Sequence, residues 1–348
     1  SGGDCQALNA TMRGLALTLY RNVKDVEIIG FIDGYKGLMY EKYKKMKPKD
    51  FYDILNVGGS ILGNSRCPFK RMRIIENGFD KVKAMKNTYK KLELDCLVVL
   101  GGNGSIKSAN MLSQEGLNVI ALPKTIDNDA WGTDYTFGYS SATAIATRYL
   151  DEIKTTAASH SRVFVIEVMG HKVGHICLSA GIAAGADVIL LPEIPYDIKV
   201  VAKKVKETLK NEKNYAIIAC AEGAISEADA LMKRKDYKAK VLARNGRSVA
   251  YEVADELSQE IDAEIRVSCI GHAQRGGNPD SYDREISTRF GVEGARLIIK
   301  KHYGEYVVLQ GNHVTHIPLE ATAGKLKFVD TEGEIVQSAK LVGISFGE

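Results

Sequence analysis

Two α/β lobes of Rossmann-like build, with mainly parallel sheets, are predicted by three features of the sequence. Two short apolar runs, 96–100 (CLVVL) and 119–122 (VIAL), each stop at a Gly- or Asp-rich turn, as neighbouring buried strands of a parallel sheet do. Strand-like and helix-like patterns alternate along the chain, which is the signature of right-handed βαβ units. The 348 residues contain no low-complexity linker and no repeat of roughly 20–50 residues, so two lobes crossed by the chain more than once are expected.

Taken in order, the Gly2-Gly3 turn enters an amphipathic stretch reaching Tyr20; such a turn normally follows a strand. Residues 26–32 read as a strand ending at Asp33-Gly34. The run 58–66 (GGSILGNSR) is a glycine loop carrying a cation, Arg66. A basic helix over about 79–92 leads into the first apolar run, which ends at Gly101-Gly102-Asn103-Gly104-Ser105 before another helical pattern. Further on, 141–158, 198–209 and 247–261 read as helices, and 163–168, 188–191, 215–221 and 265–270 as strands. The last three of these β-runs end at Pro192, Glu222-Gly223 and Gly271-His272-Ala273-Gln274-Arg275.

The chemistry gathers at the strand ends, where open α/β sheets bind ligands. GGNGS lets the backbone approach a ligand and turns the N–H groups of the next helix toward an anion, unless it is only a strand-to-helix turn. Thr125-Ile126-Asp127-Asn128-Asp129 sets two carboxylates and an amide beside Lys124, a composition that builds neither a core nor a helix face. It is either a solvated Asx turn or a base with a metal partner.

Composition excludes other classes. With 45% hydrophobic and 26% charged residues and a net charge of +4 spread through the chain, neither nucleic acid nor a membrane is implied as a partner. The cluster Lys42, Lys44, Lys45, Lys47 and Lys49 reads as a solvated loop or helix face. The six cysteines show no metal-binding spacing and suit buried thiols in a reducing compartment. No signal peptide is recognised, so a cytoplasmic setting is expected.

At this point the residues closely resemble the 6-phosphofructokinase family, over nearly the whole chain. The resemblance is carried by SGGD at the start, GGSILGNSR, GGNGS, PKTIDNDAWGTDYTFGY, SHSRVFVIEVMG, AEGA and IRVSCIGHAQRGGNPDSYDR. It implies a phosphofructokinase-type fold, with residues 1–138 plus 274–324 as the phosphoryl-donor lobe and 139–273 plus 325–348 as the sugar-phosphate lobe. The implied reaction moves a phosphoryl group to the 1-hydroxyl of fructose 6-phosphate, with Mg²⁺ as cofactor. Asp127 is the implied base, with Thr125 against the transferring group and Asp129 and Asn103 at the metal. Gly2, Arg66, Gly102, Asn103, Gly104, Ser105 and Lys124 are implied on the donor side. Met169, Gly170, His171, Glu222, His272 and Arg275 are implied on the sugar phosphate. Arg162 and Arg266 match arginines lent across a subunit interface, which implies a homo-oligomer, commonly a tetramer. Without the resemblance, each arginine suits a surface ion pair and His272 a satisfied buried position.

Several positions depart from the family pattern. Asn103 stands where an acidic residue is usual, so a weaker hold on Mg²⁺ is expected. His171 replaces an arginine, with divergence continuing at Lys172 and Val173. Gln6 and Ala7 replace Pro-Gly, where the Ala7 Cβ is expected to crowd the donor or forbid a positive φ. Gly104 resembles the ATP-using members, because a missing side chain leaves room for adenosine; Lys124 resembles pyrophosphate users. Three readings stand at this level: an ATP-dependent kinase, a pyrophosphate-dependent one, and a weakened paralogue that senses a sugar phosphate or serves as a partner subunit.

Overall fold

A computed structural model describes every residue except Glu212 and Ala323. Ten strands are found among the described residues: β1 (Ile28–Phe31), β2 (Tyr43–Met46), β3 (Leu97–Gly101), β4 (Val119–Pro123), β5 (Val163–Val168), β6 (Val188–Leu190), β7 (Ala216–Ala221), β8 (Ile265–Cys269), β9 (Glu305–Gln310) and β10 (His313–Pro318). The chain divides into two compact units, Ser1–Ser141 with Arg275–Lys327, and Ala142–Gln274 with Phe328–Glu348.

In the first unit the sheet runs β10-β9-β4-β3. β3 and β4 are parallel, from Leu97 opposite Val119 to Gly101 opposite Pro123, so both glycine- and aspartate-rich turns leave the same sheet edge. All five residues of β4 are buried, which is why it reads as an unbroken apolar run rather than an alternating one. β10 is antiparallel to β9 and returns through Gly311, whose φ of 58° suits the first central position of a two-residue hairpin. The helices Leu8–Asn22 and Ser281–Ile299 pack closely; a Cβ at Gly291 would lie 2.4 Å from the Thr11 carbonyl oxygen. An apolar cavity of about 520 Å³ lines the open edge of β3, between Leu97–Leu100 residues and Leu15, Leu19 and Ile28.

One expectation about this unit is corrected. Part of the lysine cluster is neither loop nor helix: Tyr43–Met46 forms β2, paired antiparallel with β1 in a separate two-stranded sheet. Tyr43, Lys44 and Lys45 stay exposed and only Met46 turns inward. Backbone pairing orders the segment while the lysines keep their water, a common guise for an edge strand.

In the second unit the sheet runs β6-β7-β5-β8, and every pairing is parallel. β7 is wholly buried. Its apolar core is built from β5, β6 and β7 with the helices Ile198–Asn211 and Val249–Ser258. A helix at His175–Ala183, apolar nearly all round, has no amphipathic stripe to announce it in the sequence.

All six cysteines are free; Cys5, Cys177 and Cys220 are buried and Cys269 is exposed. Burial pushes the Cys5 thiol up to about 12. Among the described residues no helix is long and apolar enough to cross a membrane.

Candidate active site

The first unit assembles a phosphate-type cradle at the carboxyl ends of β3 and β4. Gly102 caps the helix Asn103–Gln114 in extended geometry (φ −83°, ψ −173°), so the first N–H groups of that helix face outward from the sheet. Ser105 is buried against Gly2: a Cβ on Gly2 would lie 3.4 Å from the Ser105 Oγ and 3.7 Å from the Lys124 Nζ. A Cβ on Gly104 would meet nothing within 4 Å, so the space beside this residue is open.

Cations converge on the same turn. A Cβ built on Gly3 would lie 3.2 Å from Arg275 Nη1 and 3.9 Å from Arg66 Nη2. The two guanidiniums are thus within ~7 Å of one another, where their repulsion is worth about 2 kcal/mol at an effective dielectric of 20. Arg275 donates to the Asp4 carbonyl at 3.2 Å, but its Nε is buried without a hydrogen-bond partner. Lys124 is only 3% exposed and donates to the Gly3 carbonyl. Burial lowers its pKa, and the neighbouring Arg275 charge pushes the same way while Asp127 opposes it. A buried ammonium beside two guanidiniums is costly in isolation and favourable once a polyanion is bound.

The TIDND turn is held from several sides. The Asp127 N–H donates to Thr125 Oγ1 (3.1 Å), and Thr136 Oγ1 donates to the Thr125 carbonyl (2.7 Å). Asn128 sits in the left-handed region (φ 52°), which asparagine tolerates, and its amide donates to the Asp134 carbonyl. Below the turn, the fully buried Asp283 accepts from Tyr135 Oη, the Gly138 N–H, and both the N–H and Oγ of Ser141. Burial raises the Asp283 pKa, and the Ser141 and Gly138 donors work against that rise. Asp283 lies in the quoted GGNPDSYDR motif, yet nothing in its spacing marks it as the support of a turn some 150 residues earlier.

Asn103 and Asp129, the two expected metal residues, do meet. The Asn103 amide donates to Asp129 Oδ2 at 2.6 Å, and Asp129 is buried. Nearby, the Lys327 N–H donates to the Asp129 carbonyl, and burial pushes the Lys327 ammonium down to about 8, against Asp134 and Asp129. Among the described residues no group of three or more His, Cys, Asp or Glu could hold a metal. One carboxylate with one amide fits an ion such as Mg²⁺ that takes most of its ligands from water and substrate phosphates.

The second unit places Met169, Gly170 and His171 just past β5, and Glu222 just past β7. Glu222 accepts from the N–H groups of Gly170 (3.2 Å) and His171 (2.5 Å), while the Met169 N–H donates to Gln274 Oε1 (3.2 Å). His171 is strained into φ 54°, a conformation stabilised by its bond to Glu222. In β5, burial raises the Glu167 pKa, and Ser248 donates to its carboxylate. His272 lies exposed in a short 3₁₀ turn, Gly271–Arg275, after β8. The unit boundary falls inside that turn: His272 belongs to the second unit and Arg275 to the first.

Arg162 and Arg266 stand at the other end of the same sheet. Arg162 precedes β5, and Arg266 is opposite Phe164 near the start of β8. Both bind Glu264, Arg162 through Nε at 2.8 Å. Six residues of extended chain, about 20 Å, separate Arg162 from Met169. Within one chain, then, these arginines do not share a site with Met169, Gly170 and Glu222.

The expected conflict with a positive φ at Ala7 does not arise. Its φ is −97°, and it is buried at the start of the Leu8–Asn22 helix. The backbone there asks for no glycine.

Comparisons with known proteins concern the chain as a whole. The family model for phosphofructokinase matches residues 1–298. An ATP-dependent 6-phosphofructokinase of Spirochaeta thermophila is 46% identical over 352 residues, covering 100% of this chain and 96% of the relative. ATP-dependent 6-phosphofructokinase 3 of Bacteroides thetaiotaomicron is 41% identical, covering 100% and 98%. Among solved structures, the phosphofructokinase of Saccharomyces cerevisiae superposes with a TM-score of 0.80 at 28% identity over 92% of this chain, which spans 44% of the yeast chain. A pyrophosphate-dependent phosphofructokinase from Nitrosospira multiformis, at 20% identity, shares the fold, with a TM-score of 0.81 over 99% of this chain and 90% of its own.

Proposed function

The chain belongs to the phosphofructokinase family, and from that premise we propose how its residues divide the work of an ATP-dependent 6-phosphofructokinase. The enzyme transfers the terminal phosphoryl group of ATP to the 1-hydroxyl of fructose 6-phosphate, giving fructose 1,6-bisphosphate for glycolysis. The observation that carries this reading is the convergence of Lys124, Arg66 and Arg275 on the Gly2-Gly3 turn, beside a helix N-terminus. Such a cluster neutralises charge on a polyphosphate and stabilises oxygens that gain charge during transfer.

Asp127 takes the proton of the 1-hydroxyl as the new P–O bond forms, and ADP leaves. Thr125, whose Oγ already accepts the Asp127 N–H, faces the transferring group. Gly102, Gly104 and Ser105 line the donor, and the open space at Gly104 supports a nucleotide there rather than pyrophosphate alone. Lys124, the residue that favoured pyrophosphate, is engaged with the Gly3 carbonyl and so acts first by holding the turn. Asn103 and Asp129 would hold Mg²⁺, which supplies positive charge to the donor phosphates. Met169, Gly170, His171, Glu222, His272 and Arg275 bind the sugar phosphate, Arg275 from its place beside Gly3. Arg162 and Arg266 act on a neighbouring copy, so the enzyme works as a homo-oligomer, a tetramer in our reading, in the cytoplasm.

A coupled assay for fructose 1,6-bisphosphate tests this, with ATP and pyrophosphate offered separately in excess Mg²⁺. Turnover with ATP alone is expected. Turnover with pyrophosphate alone would reverse the donor. Silence with both, while fructose 6-phosphate still raises Tm, would leave only a binding protein.

The metal assignment has its own test. In Asn103→Asp two carboxylates replace the 2.6 Å amide–carboxylate bond. The variant is expected to melt several degrees lower without Mg²⁺, to recover with Mg²⁺, and to reach half-maximal rate at ~3- to 10-fold less of the ion. An unchanged Mg²⁺ requirement would move the metal elsewhere.

A further inference from the structure

We propose that Lys327 is a positioning residue for the metal-holding end of the catalytic turn, stapling the backbone from Asp129 to Asp134 into one shape. This deepens the reading above and rests on its assignment of Asp129 to Mg²⁺.

Lys327 closes the first unit, far in sequence from the turn it touches. Its backbone and its side chain grip opposite ends of one loop. The Lys327 N–H donates to the Asp129 carbonyl (2.9 Å), and Nζ donates to the carbonyls of Thr133 and Asp134 (2.9 Å each). Between these grips Leu326 pairs with Ala130 in an antiparallel bridge, and Lys325 Nζ lies 4.0 Å from the centre of the Trp131 ring.

Both ends of the loop matter to the site. The Asp129 carbonyl also accepts from the Asn103 amide at 3.4 Å, the same amide that reaches the Asp129 carboxylate. The Asp134 carbonyl likewise accepts from the Asn128 amide at 3.3 Å. The far end is pinned to the sheet: the Asp134 N–H donates to the Leu309 carbonyl in β9 (2.8 Å), and the Leu309 N–H to Thr133 Oγ1 (2.9 Å). Lys327 therefore ties the sheet-anchored end, Thr133-Asp134, to the end that presents Asp129. An ammonium suits this task, because its three donors serve two carbonyls that an apolar residue of the same length would leave unsatisfied. Its charge does not help the metal. The ammonium faces Asp134 and Asp129, where a fixed cation competes with Mg²⁺. Losing the staple should weaken the metal site, whereas losing only a charge should strengthen it.

The test combines hydrogen exchange, metal dependence and chemical rescue in the full-length chain. In Lys327→Met, amide exchange over residues 129–134 of the metal-free protein is expected to speed up ~10-fold, with no change over the helix Asn103–Gln114. With ATP and fructose 6-phosphate, kcat is expected to fall ~10- to 100-fold. The Mg²⁺ needed for half-maximal rate should rise ~3- to 10-fold, with KM for fructose 6-phosphate within about twofold of the parent. Lys327→Ala should regain rate in propylammonium, which replaces the missing carbons and N–H donors. It should not in tetramethylammonium, which brings charge without donors. Should Lys327→Met not fold, Lys327→Ala prepared in propylammonium and then freed of it reads the same exchange and Mg²⁺ dependence. A lower Mg²⁺ requirement would mean that the ammonium acts by charge, and unchanged exchange over 129–134 that it holds nothing. Rescue by neither amine would reduce Lys327 to a fold residue. Each of these overturns the proposal. If Asp129→Asn leaves the Mg²⁺ requirement unchanged, the metal assignment fails and the proposal with it; that result is told apart from failure at Lys327 because exchange in Lys327→Met would still rise.

Discussion

Asp127→Asn is expected to lower kcat by ~10²- to 10⁴-fold, the usual worth of a positioned general base. The change is nearly isosteric. The Asp127 N–H would keep its bond to Thr125 Oγ1, and the clamp from Thr136 and Asp283 beneath the turn would be unaffected. What is lost is the ability to accept a proton at the moment the hydroxyl attacks. Affinity for fructose 6-phosphate, read as its stabilisation of the protein on heating, should therefore change by less than about threefold. If binding and turnover fell together, Asp127 would be a ligand of the sugar and not its base.

The second large effect is expected at Arg162. Arg162→Ala should raise KM for fructose 6-phosphate by ~10- to 100-fold, as removal of a guanidinium from a phosphate commonly does. The notable part is how the defect should be repaired. Arg162 and Met169 stand at opposite ends of β5, so the arginine must serve a site on another chain if it serves one at all. Mixing Arg162→Ala subunits with Asp127→Asn subunits, followed by dissociation and reassembly, should then restore activity. With random pairing roughly a quarter of the shared sites would carry an intact Asp127 and an intact partner arginine. Two parents impaired at low fructose 6-phosphate giving a mixture more active than either would be hard to explain otherwise. No recovery, with reassembly verified by size, would return Arg162 and Arg266 to the role of a surface cluster around Glu264.

How much of this was legible beforehand varies with the kind of information. Strands such as β4, β5 and β7 are readable because burial on both faces demands continuous apolar runs, and the turns after them because glycine and aspartate suit little else. The chemistry of GGNGS and TIDND, and with it the family, lies in short local strings. β2 was not legible, since its lysines owe their strand geometry wholly to β1. Nor could Ala7 be judged, because whether a residue needs a positive φ depends on how its turn enters the helix.

The sequence by itself determined which residues could do the chemistry: a carboxylate at 127, cations at 66, 124 and 275, and glycines where a ligand must come close. Only the tertiary structure decided which of them act together. It brought Arg275 to Gly3, set Asn103 on Asp129, laid Asp283 under a turn far away in the chain, and separated Arg162 from Met169 along a strand. The reason is physical. Residue type and local spacing specify what a segment can become, whereas contacts between distant segments follow from which apolar faces must be buried against one another.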